Sequence, residues 1–110
     1  MGIDITFRSS GGQNIEDSGF RARTLWGLCK EEGMDIMPCD EDTFSVFHSN
    51  TELWDLIEFL DHPWRQHRMA ERLLTMRHAD SKRDCLEWVQ AQACILRSHA
   101  LQGHSYFISR

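Results

Sequence analysis

A chain of 110 residues with 41% hydrophobic and 10% aromatic content is long enough for one buried core and too apolar to be disordered. Its net charge of −5 excludes broad, non-specific nucleic-acid binding, which depends on neutralising phosphates with a strongly basic surface. No run approaches the ~18 apolar residues of a membrane span. The start MGIDITFRSS lacks the apolar stretch of a secretion signal, so the four cysteines are expected to be reduced thiols in a cytoplasmic protein.

Ile3, Ile5 and Phe7 alternate with Asp4, Thr6 and Arg8, the period of a half-buried strand. Ser9-Ser10-Gly11-Gly12 ends it, and a polar loop runs to about Ser18. A diglycine ahead of a helix start carrying Arg21 and Arg23 could cradle a phosphate. The P-loop lysine and the GxGxxG spacing are both missing, so a plain turn is expected. From Ser18 or Gly19 to Glu32, Ala22, Leu25, Trp26 and Cys29 share one helical face. Gly33 follows at the C-cap position.

Residues 34–48 read as a hairpin, with a first arm Met34–Met37, a turn at Asp40, Glu41 and Asp42, and a second arm Thr43–His48. Ser49-Asn50-Thr51-Glu52 is a capping box. The helix it opens carries Leu53, Leu56, Ile57 and Leu60 on one side, and Glu52, Asp55, Glu58 and Asp61 spread over the other. Pro63 breaks the pattern and suits the first position of a further helix over 64–78. Asp80 or Ser81 caps a last helix to about Gln102, which Gly103 stops. His104–Ser109 closes the chain as a strand. These elements predict a single α+β domain over residues 1–110, ordered β-α-β-β-α-α-α-β. A small, mostly antiparallel sheet of three to four strands should carry about four helices, mainly on one face.

Charge is segregated. Residues 31–62 hold ten carboxylates and no Lys or Arg, whereas residues 1–30 carry net +1 and residues 63–110 net +4. Such a chain either pairs its charges internally or shows an acidic surface to a basic partner. Trp54 and Phe59 flank the leucine stripe beside the acids, as a surface for a basic partner would have them, with cation–π contact from the rings and steering from the carboxylates. Packing of both rings into the core is the competing expectation. Arg65, Arg68 and Arg72 form a row at i, i+3, i+7 that could grip phosphate or carboxylate, or fold back on the acidic helix across the short turn at 61–63.

Catalytic and metal signatures are weak. His67, Glu71 and His78 share a helix side, but the two imidazoles stand ~16 Å apart at 1.5 Å per residue, too far for one ion. Cys29 falls on an apolar face, and Cys39 adjoins acids that raise a thiol pKa. Gln92 and His99 interrupt the apolar face of the last helix and need buried partners. The reading is a non-catalytic cytoplasmic inhibitor or adaptor without a cofactor. Its expected contact residues are Glu52, Trp54, Asp55, Glu58, Phe59 and Asp61, together with the turn Asp40, Glu41 and Asp42. The partner is a protein with a basic surface, of which one that normally holds nucleic acid is a specific variant. Direct nucleic-acid contact through Arg65, Arg68 and Arg72 is the weaker expectation, and a homodimer joining acidic to basic halves is a rival. The alternative is an enzyme or ligand-binding protein whose histidines, such as His48, His67, His78 or His99, converge only in three dimensions.

Overall fold

The computed structural model describes residues 4–34 and 45–109. The elements are β1 (Asp4–Arg8), β2 (Asn14–Ile15), α1 (Ala22–Glu31), β3 (Ser45–His48), α2 (Asn50–Leu60), α3 (Pro63–Thr75), α4 (Lys82–Leu101) and β4 (Ser105–Ser109). All strand pairs are antiparallel, in the order β2-β1-β4-β3. The two central strands are therefore the first and last of the chain, in register from Asp4↔Ser109 to Arg8↔Ser105. Alternation puts Phe7, Tyr106, Ile108 and His48 on the buried face, under the helices, while Phe47 on the other face is exposed. The fold is α+β as expected, with four helices and a four-stranded antiparallel sheet among the described residues.

The element order differs in one place. The polar loop after β1 contains β2, because the diglycine forms a tight hairpin turn. Gly12, at φ +86, donates its N–H to the Ser9 carbonyl (2.9 Å), and the Ser9 N–H returns to Gln13 O (2.9 Å). A short polar strand such as Asn14–Ile15 has no hydrophobic alternation to announce it; only its register against Phe7 and Arg8 defines it. The second hairpin arm appears as β3, paired to β4. Most of its expected first arm and the Asp40-Glu41-Asp42 turn lie outside the described residues.

Helix ends follow local chemistry. Ser49 Oγ accepts the Glu52 N–H (3.2 Å) and Glu52 Oε1 accepts the Ser49 N–H (3.2 Å), completing the capping box of α2. Ser81 caps α4 through the Asp84 N–H (3.1 Å). Three helices end in the same paired bonds back to their last turn. Met34 N bonds Cys29 O and Gly33 N bonds Lys30 O after α1; His104 N bonds His99 O and Gly103 N bonds Ala100 O after α4. After α3, His78 N bonds Leu73 O and Arg77 N bonds Leu74 O. This motif needs a left-handed residue at its turn. Gly33 (φ +87) and Gly103 (φ +76) supply it without strain, whereas Arg77 is forced to φ +58.

Helix α1 has no local N-cap side chain. Gln92 of α4 serves instead, accepting the Arg21 N–H at Oε1 (2.8 Å) and donating from Nε2 to Gly19 O (3.3 Å). It thus does for α1, from 71 residues away, what Glu52 does for α2 from three. The side chain that interrupts α4's apolar face is the one that docks α1's start.

Relieving the left-handed arginine should stabilise the fold. Arg77→Gly is expected to gain roughly 1 kcal/mol, read as a higher urea midpoint at unchanged slope. A lower midpoint would mean that the Arg77 side chain contributes more than its backbone costs.

Candidate functional site

Helix α2 buries Leu53, Leu56, Ile57 and Leu60, which turns Trp54, Asp55 and Glu58 outward. Trp54 is 37% exposed. Phe59 is half-buried against the core and covered by Arg65, whose guanidinium lies 3.7 Å from the ring centroid. Arg65 Nη1 also donates to Phe59 O (2.8 Å), and Gln66 Nε2 donates to Leu60 O (2.8 Å). No glycine ends α2, so these two side chains from the next helix satisfy its last carbonyls. Arg65 and Phe59 are thereby joined to each other at the α2–α3 corner.

Most of the remaining charges are engaged. Glu52, besides its capping role, accepts from His48 Nδ1 (2.8 Å). That bond, more than any other influence, holds its carboxyl below the usual range. Asp61 pairs with Arg97 of α4. Arg68 and Arg72 do not fold back on α2. Arg68 Nε bonds Glu32 (2.7 Å), and Arg72 stands 3.5 Å from Glu31 and 3.6 Å from Glu32. The Glu32 side chain, only 3% exposed, is a buried anion held by two guanidiniums, which ties the end of α1 to α3. The expected row of three arginines is thus divided between two structural tasks.

What remains on α2 is Trp54 with Asp55 and Glu58, neither of which has an ion-pair partner among the described residues. Asp40, Glu41 and Asp42 lie outside the described residues. Sequence reasoning passed over Trp64, the most exposed tryptophan at 72%, on the first turn of α3. The signal was present: at 100° per residue Trp64 lies opposite the buried Leu73.

The histidines sort by depth. His67 and His78 are exposed. His48 is buried and stacked on Tyr106, with ring centroids 4.8 Å apart. His99 and His104 are both buried, their Nδ1 atoms 2.9 Å apart. His99 Nε2 meets Asp17 Oδ2 at 2.8 Å, and Phe7 lies flat on the His99 ring, 3.7 Å between centroids and 3° from parallel. Asp17 also accepts the Gly19 N–H at Oδ1 (3.0 Å). The glycine turn ending α4 sends the His104 N–H back to His99 O, and this return brings the two rings together.

The order of donors in this chain follows from the carboxylate. Asp17 accepts, so His99 Nε2 carries a proton, and in neutral His99 the Nδ1 is an acceptor. His104 Nδ1 must then donate. Two fully protonated rings would set their Nδ1–H groups head-on. Burial, and next the charge on His99, lower the His104 pKa from 6.5. The bond from His99 is the largest influence lowering Asp17. Among the described residues neither imidazole is bonded to a hydroxyl or thiol, and no three His, Cys, Asp or Glu side chains are grouped to hold a metal. Cys29 is buried and its thiol is pushed up to about 12, chiefly by desolvation, so it is not a nucleophile at neutral pH. The cluster joins the loop before α1 to the end of α4.

This arrangement makes stability depend on pH. A histidine with a lowered folded-state pKa binds fewer protons folded than unfolded, so its contribution is full above about 6.5 and is lost as pH falls through the lowered value. Urea midpoints should therefore fall between about pH 7.5 and 5.5. His104→Gln, which keeps a donor for His99, should fall less over the same interval. Equal falls in both proteins would remove His104 from the account.

Among the described residues no helix is long and apolar enough to cross a membrane. Comparison with protein-family models, curated proteins and solved structures gave no match, so function has to be argued from the side chains themselves.

Proposed function

We propose that this chain is a small non-catalytic binding protein of the cytoplasm, an inhibitor or adaptor that offers the outer face of α2 to a protein with a basic surface. One observation carries the reading. Trp54 is partly exposed on the same outward side of α2 as two carboxylates, Asp55 and Glu58, that have no ion-pair partner among the described residues, while Glu52 and Asp61 on the same helix are engaged elsewhere. A helix fixed at both ends is a rigid platform, so little ordering cost falls on binding. The carboxylates steer a basic partner into encounter, and the indole then supplies buried area and a cation–π face for Arg or Lys. Trp64, on the first turn of the following helix, is a second exposed indole. A partner that ordinarily grips a phosphate backbone has the required charge, and competition between this chain and nucleic acid would be the consequence.

The test uses an arginine- and lysine-rich peptide as probe, titrated by calorimetry at low and physiological salt. Wild-type protein should bind it, more weakly as salt rises. Asp55→Lys with Glu58→Lys should lose about tenfold or more in affinity, and Trp54→Ala should weaken binding at both salt concentrations. Both variants should melt as the wild type does, since the altered side chains face outward. Unchanged affinity in folded variants would refute the assignment. A doubled mass in low salt, lost in the charge-reversed variant, would point to a second copy of the chain as the partner.

A further inference from the structure

A groove of about 810 Å3 runs between α1 and α3, within the size range of small-molecule sites. Its base is apolar. Leu28 is buried there, and Gly27 carries no side chain to fill the space: a Cβ added to it would meet nothing within 4 Å. Gly27 is an ordinary helical residue without a positive φ, so neither the backbone nor close packing calls for glycine at that point. In a helix interior it is less favourable than alanine, and what it leaves is open space.

The rim carries guanidiniums on both walls. Arg23, from α1, has no carboxylate within ion-pair distance among the described residues. Arg72, from α3, is ion-paired with Glu31 and Glu32 at 3.5 and 3.6 Å, longer than ordinary hydrogen bonds, so an anion could compete for its N–H groups. Arg68 differs, being committed to Glu32 at 2.7 Å, and Glu71 is held by Lys82 at 3.0 Å. The groove thus presents one fork without an ion-pair partner among the described residues, Arg23, and a second, Arg72, that it shares with Glu31 and Glu32.

We propose that this groove binds a small amphiphilic anion, with a carboxylate or phosphate head between Arg23 and Arg72 and an apolar body over Gly27 and Leu28. Guanidinium forks match both head groups bidentately. Glu31 is the opposing group. It lies beside Arg72, its side chain is 66% exposed, and an entering anion must displace it. The site shares no residue with the α2 face, so each assignment stands or fails separately.

Calorimetric titration with octanoate and octyl phosphate tests this, with octanol and octyltrimethylammonium as controls. At least one anion should bind saturably at one site, and both controls at least about tenfold more weakly. The preferred anion identifies the head group. Gly27→Leu should cut affinity at least about tenfold by filling that space, while its melting temperature holds or rises because leucine is the better helix former. Arg23→Gln, at an exposed residue, should weaken binding without affecting the fold. Glu31→Gln should tighten binding, which a merely structural role for the groove would not produce. The proposal is overturned if neither anion saturates, if octanol binds equally well, or if folded Gly27→Leu or Arg23→Gln retains wild-type affinity.

Discussion

The pairing of Asp4–Arg8 with Ser105–Ser109 is the constraint on which the rest depends. It joins the two ends of the described chain at the centre of the sheet. Closing so long a loop is entropically unfavourable, and the ladder is retained because the inward residues Phe7, Tyr106 and Ile108 lie in the same core as the helices. Strand pairing and helix packing are therefore one event. A topology dominated by such a distant pairing folds more slowly than a helical bundle of equal length.

Helix α4 carries the second long-range commitment. Its buried face is not uniformly apolar: Gln92 and His99 are among its buried residues. Both are satisfied by the segment leading into α1, Gln92 through Gly19 and Arg21, His99 through Asp17. Satisfied polar groups at such depth specify one docking arrangement, because a shifted register would leave each without a partner. The position of α1 on β1 follows, and with it the gap between α1 and α3. The buried Glu32 between Arg68 and Arg72 then fixes that gap at one end.

The segregated charge of the sequence is resolved by partners distant in the chain. Arg68 reaches Glu32 and Arg97 reaches Asp61, each across 36 residues. The acidic stretch is partly neutralised by this: α3, which follows it, reaches past α2 to Glu31 and Glu32, and α4 takes Asp61. Arg65 alone of its row turns to α2, and there it binds a ring and a carbonyl rather than an acid. What the neutralisation leaves on α2 is a short acidic surface around Trp54.

The sequence by itself determined the features whose chemistry acts within about five residues. The capping box at Ser49 and Glu52, Pro63 at the start of α3, Ser81 at the start of α4, and the glycines after α1 and α4 were legible because cap and turn bonds join near neighbours. The leucine stripe of α2 was legible for the same reason. Strand β2 was not, since a two-residue polar strand exists only by virtue of its partner. Only the tertiary structure decided which carboxylate meets which guanidinium, which aromatic is covered, and that His99 and Gln92 face the loop before α1. Those outcomes depend on how helices from distant parts of the chain are oriented against one sheet, and side-chain spacing along a single helix carries no record of that orientation.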